Sequence, residues 1–509
     1  MQQKMKLGLS ANASLCPSPR HFYSVQWLWV LMVSTLTLSS CHLFKPVPKK
    51  ERQADEELGE IVGKRIWNPE TQSWEPVREV SGPMDTLKWT QLPPEAYPPI
   101  LSTPEVRRRA GQSLPEDTEV KDRYRVALLL PFMTHRNNPE QIKIYKHSYW
   151  ALHFYAGAQL AVEDLQQTEQ GAPLDLYVLD TKAATQHTRQ LLASNPDLAK
   201  ADLIIGPYRA QNVRLAAKFG NAQGKVVVAP WAAMPGLTEN NEYFVQANPS
   251  LQRHCSALIW HALESRTDSS EIVVVVRDDP VELHLLPIFR EAAWEFAGTR
   301  DTVMFQEFVV KDTTSDYHQF KIGPMIAPKG QTIFIVPSWS DEKFVYELLR
   351  QLLIAQQYTG DPLNPIAQDR EVVVYGMPQW ADFERIDLDF YEKLHVRIST
   401  PFYIDKGKEA VRQFRQRYFE RFGTLPTQAA YLGYDITYYF CKQLLQFGTR
   451  FQKVLDAHPW EGLHMRFEVE PVPATPLPNM ETLERVDRYE NSALYLLQFK
   501  EYHFQPIAQ

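Results

Sequence analysis

The chain reads as an α/β protein whose parallel strands are divided between two similar lobes. Three observations carry that reading. Seven short runs are apolar without alternation, amphipathic helical stretches separate them, and 509 residues exceed what one hydrophobic core holds. The runs are VALLLPF (126–132), LYVLD (176–180), LIIG (203–206), VVVAP (226–230), IVVVV (272–276), IFIVP (333–337) and VVVYG (372–376). Unbroken apolar character means burial on both faces, as in a strand inside a parallel sheet. Between the first two runs, Phe154, Ala158, Ala161, Val162 and Leu165 fall on one stripe of a helix over 151–167. The spacing of strands and helices fits two lobes of βαβ units better than one very wide sheet.

In chain order the first element is an export signal. Lys4, Lys6 and Arg20 precede WLWVLMVSTLTL (27–38), too short to cross a bilayer but right for the apolar part of a signal peptide. The run ends in LSSC (38–41), which resembles the bacterial lipobox. That resemblance implies a signal peptide over 1–40, cleavage before Cys41 and lipid chains on Cys41. The long basic segment leaves Met5 or a later codon as an alternative start. His42 is not the aspartate that retains some Gram-negative lipoproteins at the inner membrane, so the expectation leans to the outer membrane, anchored by lipid and facing the periplasm.

Residues 41–122 follow as the lipidated cysteine and a tether rich in Pro, Glu, Lys and Arg. As a random coil of about 80 residues it reaches on the order of 50 Å. Within it, RIWNPETQSWEPV (65–77) places a turn-forming NPET between two Trp-bearing flanks, so a hairpin is expected there. Whether that hairpin docks on the body or is only a sticky linker stays open at this stage. Composition permits real cores, with 44% hydrophobic residues and 12% aromatics. A formal net charge of -7 and the lack of a basic block argue against a nucleic-acid partner. Of the four cysteines, Cys16 leaves with the signal and Cys41 is lipidated. Cys255 and Cys441 then remain, on separate predicted helices, and buried free thiols are expected.

The order of motifs carries a further resemblance. YRVALLLPF, YAGAQLAVEDLQ, LDLYVLDT, ADLIIGPY, VVVAPWAAMPGLT and, much later, FRQRYFERFGTLPTQAAYLGYDITYY resemble, in that order, the type I periplasmic binding proteins. The branched-chain amino-acid receptors of ABC transporters are the nearest members. The resemblance spans roughly 124–448 and implies two Rossmann-like lobes joined by crossing strands, with a ligand cleft between them. Lobe one would take 123–247 plus 404–450, and lobe two 248–403 plus 451–509.

Carried onto that family's pattern, the cleft is unusual. In amino-acid-binding members a serine follows the third strand; GPYRAQ puts Ala210 there, beside Arg209 and Gln211. A threonine follows the fourth strand; PWAAMPGLT puts Ala233 there, after Trp231. In lobe two, VPSWSDE supplies Ser338 and Trp339 where the family has a tyrosine, and YGMPQW supplies Gln379 and Trp380 but no carboxylate. Phe132 and Met133 follow the first strand. An α-amino acid needs both of its charges paired once water is excluded, so a free amino acid is a poor expectation for the ligand. Backbone N–H groups at the predicted helix start over 209–212 offer an anion site, and Arg209 is the candidate cation beside it, unless it is only a solvated surface arginine. Aromatic walls suit sugars, peptides or flat apolar ligands. The same tryptophans would equally fill a cleft that holds no small molecule.

No G-x-S-x-G, H-E-x-x-H, C-x-x-C, P-loop or G-x-G-x-x-G stands in the chain, so neither a catalytic residue nor a metal or other cofactor is expected. His254 and His261 lie two helical turns apart, too far for joint metal ligation. Two functions remain. One is a lipid-anchored, non-enzymatic solute receptor serving an ABC permease by lobe closure. The other is an envelope scaffold or regulator that uses the same fold to bind a protein partner, for example in peptidoglycan synthesis.

Overall fold

The computed structural model describes residues 65–68 and 73–76, as backbone, and 114–138, 143–168, 173–234, 236–301, 303–312, 314, 316–358, 369–474 and 485–507. Cys41 and the signal segment lie outside the described residues. The chain divides after Tyr97 into two units. In the first, Arg65–Asn68 and Ser73–Pro76 pair antiparallel with Trp67 opposite Trp74, which is the hairpin expected from NPET.

The second unit is built on two seven-stranded sheets, and all seven apolar runs are strands in them. The first sheet runs Val469–Pro473, Val486–Asn491, Phe244–Gln246, Val226–Ala229, Leu203–Ile205, Tyr124–Leu130, Leu174–Asp180. The second runs His503–Pro506, Tyr495–Lys500, Arg397–Thr400, Arg370–Gly376, Gly330–Ile335, Glu271–Arg277, Gln306–Val310. In each, five sequential strands lie in the order 2-1-3-4-5, all parallel, so the sheet winds outward in both directions from its first strand. Late strands complete the other edge. One of them, Val486–Asn491, is parallel to its neighbour, and the edge strand Val469–Pro473 is antiparallel.

That edge corrects the expected boundary at residue 451. Val469–Pro473 and Val486–Asn491 belong to the first sheet, and Phe451, Leu455, Met465 and Phe467 are buried in the first lobe's core. Only the last two strands join the second sheet. Sequence order gave no hint of this return, because a strand pairs where its apolar face finds a sheet edge, not where its neighbours in sequence lie. The chain thus crosses between lobes three times: after Gln246, after Thr400 and after Asn491.

The quoted YAGAQ and YLGYD motifs have a packing origin. Helices Tyr149–Thr168 and Gln428–Phe447 cross so closely that a Cβ on Gly157 would lie 1.9 Å from the Ala430 carbonyl oxygen. One on Gly433 would lie 2.0 Å from that of Phe154. No residue with a side chain fits at either point. The contact buries Phe154, Ala158, Leu432, Ile436 and Phe440 in the first core, with the thiol of Cys441 among them. Cys255 is buried in the second core, and both thiols are free. Burial pushes the Cys441 thiol up to about 12 and raises that of Cys255 further.

Candidate functional site

Loops beyond the carboxyl ends of both sheets face each other across a cavity of about 780 Å³. The first lobe contributes Tyr208, Arg209 and Ala210 after strand Leu203–Ile205, and Trp231 to Met234 after Val226–Ala229. The second contributes Trp339, Pro378, Gln379, Ala381 and Asp382. The crossing segments supply the floor through Asn248, Pro249, Thr400, Pro401 and Phe402. A smaller hollow of about 410 Å³ lies elsewhere on the second lobe, walled by mixed charges such as Glu342, Lys343 and Arg385.

Of the residues expected at the cleft, Arg209, Ala210, Trp231, Ala233, Trp339 and Gln379 line it. Five others do not. Phe132 and Met133 are folded over the end of the neighbouring strand, because the Asp180 carboxylate accepts the N–H groups of Met133 (3.0 Å) and Thr134 (2.9 Å). Phe132 meets Tyr155 edge-on at 6.1 Å. Gln211, the second residue of helix Ala210–Gln223, accepts a bond from Thr185 Oγ1 outside the cavity. Ser338 is fully buried beneath the loop it starts. Trp380 is the largest correction. It is 0% exposed in the second core, donates from Nε1 to the Ser338 carbonyl at 3.0 Å, and lies parallel to Tyr391. Gly376 makes room for it, since a Cβ there would meet its ring at 2.4 Å. The short helix Pro378–Asp382 turns Gln379, Ala381 and Asp382 to the cavity instead.

Asp382 therefore supplies the second lobe with a carboxylate, two residues beyond the stretch in which none was expected. It is exposed, as is Arg209 on the opposite lobe, and these two carry the charges among the lining side chains. The interior is neutral and aromatic. Trp231 lies near-parallel to Phe402 (6.0 Å, 12°) and to Tyr208 (5.9 Å, 26°), and Phe402 to His464 (5.6 Å, 9°). His464 is held by Asp435, whose buried carboxylate accepts from its Nδ1 at 2.8 Å and from the N–H groups of Leu463, His464 and Met465. His464 lies in the turn of a short hairpin in which Trp460–Glu461 pairs antiparallel with Arg466–Phe467, and this hairpin bonds back to the crossing segment through Tyr403 N–H and the His464 carbonyl, beside Phe402 of the floor.

His254 was missed as a lining residue. It sits one turn into helix Leu251–Ser265, capped by Ser250, right after the first crossing. Its Nδ1 shares a 2.8 Å hydrogen bond with Ser399 Oγ, and Trp339 meets its ring edge-on at 5.9 Å. Burial pushes its pKa down to about 3, so the imidazole is neutral. The rule that loops past parallel strands line clefts would have reached it through the strand Phe244–Gln246, whose run FVQ is too short to stand out as apolar. Among the described residues no cluster of three or more His, Cys, Asp or Glu is placed to hold a metal, and no helix is long and apolar enough to cross a membrane.

No protein-family model matches the chain, and no curated protein matches its sequence. Solved structures do match. A putative branched-chain amino acid ABC transporter from Rhodospirillum rubrum aligns at 15% identity over 75% of this chain and 99% of its own, with a TM-score of 0.52. An ABC-type branched-chain amino acid transporter from Rhodopseudomonas palustris aligns at 14% over 75% and 95%, also at 0.52. A branched chain amino acid ABC transporter periplasmic ligand-binding protein from Burkholderia xenovorans aligns at 13% over 76% and 94%, at 0.50. At these identities what is shared is the architecture of two α/β lobes around a cleft, the type I periplasmic binding protein fold.

Proposed function

We propose, from the type I periplasmic binding fold, that this chain is a non-enzymatic receptor whose lobes close over a small ligand, with an ABC permease as the partner that receives it. The cavity of about 780 Å³ beyond the carboxyl ends of the parallel strands of two mixed sheets is the observation that carries the reading. Arg209, Ala210, Trp231, Ala233, Trp339 and Gln379 are its proposed ligand contacts. Lipid on Cys41 would hold the receptor to the periplasmic side of a membrane, the outer membrane by the reading of His42.

The ligand is not a free α-amino acid. Both charges of such a ligand stem from one carbon, and each requires a paired, hydrogen-bonded site once water leaves. Alanines stand where amino-acid-binding members place the hydroxyls, and the charged lining groups are exposed on opposite lobes. Thermal-shift measurements on the purified chain against amino acids, short peptides, muropeptides, sugars and aromatic compounds test this. A ligand at about 100 times its Kd adds near 2.7 kcal/mol, and Trp339→Ala should abolish the shift. Binding of a free amino acid that Asp382→Asn removes would overturn the exclusion. Silence across the panel from a folded protein would sink the receptor reading and direct the search to a protein partner in the envelope.

A further inference from the structure

Two opposite charges stand without partners on opposite lobes of the cleft. Arg209 is the N-cap of helix Ala210–Gln223, beyond the carboxyl end of Leu203–Ile205 in the first lobe. Asp382 ends the short helix Pro378–Asp382, beyond the carboxyl end of Arg370–Gly376 in the second. Both line the same cavity and both are exposed. Among the described residues neither side chain takes part in an ion pair or a hydrogen bond.

Each sits in a field that favours the other. A helix N-terminus carries partial positive charge, so a guanidinium is disfavoured there and a carboxylate brought close offsets both. The helix behind Arg209 adds Arg214 and Lys218 and no acid. Segment 377–387 carries Asp382, Glu384 and Asp387 against Arg385 alone. The cavity offers neither group a countercharge on its own lobe, since the remaining lining side chains are uncharged, His254 included. Bringing the lobes together about the three crossings is the movement that shortens the distance between the two charges. We propose that Arg209 and Asp382 form a salt-sensitive latch, an ion pair made between the lobes as the cleft closes, which biases the chain toward closure before any ligand is bound.

This inference rests on the lobe movement of the receptor reading and needs no ligand. Hydroxyl-radical footprinting of the purified full chain, read residue by residue by mass spectrometry, tests it. Trp231, Met234 and Trp339 report the cleft, and Trp260, exposed on helix Leu251–Ser265 and outside the lining, controls for dose. The Debye length is about 30 Å in 0.01 M salt and about 3 Å in 1 M, so the pair acts in the first and is screened in the second. An exposed pair shifts an equilibrium by up to about fivefold, so cleft labelling relative to Trp260 should rise by about two- to fivefold from low to high salt. Arg209→Asp and Asp382→Arg should each give the high labelling already in low salt, and the doubly exchanged protein should return to the low value. Salt-independent labelling of the unaltered protein overturns the proposal. So does a double exchange that labels like either single variant, because damage within one lobe is not repaired by a change in the other. If the ligand panel is silent while labelling follows salt and charge exchange, the receptor reading falls and the latch stands. If a ligand binds while labelling ignores both, the latch falls and the receptor reading stands.

Discussion

His254 is kept neutral by its place under Trp339 and against Ser399, at 2% exposure. Its folded pKa of about 3 lies below the ordinary 6.5, so above pH 6.5 the ring is neutral in both folded and unfolded chains and burial of its charge costs nothing. Below that, the unfolded chain takes up a proton that the folded chain refuses. Stability should therefore fall between pH 6.5 and 3, by at most about 1.4 kcal/mol per pH unit from this residue. His254→Gln should flatten that limb in denaturant unfolding followed across the pH range. Identical slopes for the two proteins would mean that the ring is reached by water.

Elements in this protein are held at distances that leave no slack. Helices Tyr149–Thr168 and Gln428–Phe447 touch backbone to backbone at Gly157 and Gly433, and Gly433→Ala must push them apart. The expected cost is about 3 kcal/mol or more, read as a lowered midpoint in urea. A change below about 0.5 kcal/mol would contradict the close crossing. The short hairpin behind Phe402 depends likewise on one residue. Asp435→Asn removes a carboxylate that accepts from three backbone N–H groups and His464, so amide exchange at Leu463, His464 and Met465 should accelerate at least tenfold. Unchanged protection there would assign the hairpin's order to other contacts.

Across the whole molecule three crossings join the two lobes. Asn491 binds two of them to each other and to the hairpin, donating to the Ala247 and Arg466 carbonyls and accepting from Glu468 and Ala493. Arg253 at the start of a second-lobe helix reaches Glu470 on the edge of the first sheet at 2.8 Å. If the receptor reading holds, a ligand that touches both lobes closes them about these crossings, so small-angle scattering should show a smaller radius of gyration when a ligand found in the thermal-shift panel is added. No change on saturation would mean that binding and closure are separate. Labelling of the chain with a radioactive fatty acid in a bacterial host tests the anchor. Incorporation should vanish in Cys41→Ala, and persistent label in that variant would place the lipid elsewhere.

The fold class was legible in sequence because it rests on local patterns, and the cleft was expected from the resemblance that the order of those patterns carries. Seven runs such as VVVV at 273–276 are apolar on both faces, and only a parallel sheet covered by helices buries both faces of a strand. The resemblance to the type I periplasmic binding pattern, carried onto the loops after those strands, then pointed to Arg209, Trp231 and Trp339, which line the cavity. Orientation within a loop was not legible. Trp380 and Gln379 are adjacent, yet one fills the core and the other lines the cleft, because Gly376 opens a slot that only the folded backbone defines. Nor did sequence place Val469–Pro473 and Val486–Asn491 in the first lobe, or His254 in the cavity. Periodicity along the chain reports which residues seek burial. Which partners remain once they are buried is a property of segments distant in sequence, and only the tertiary structure brings those together.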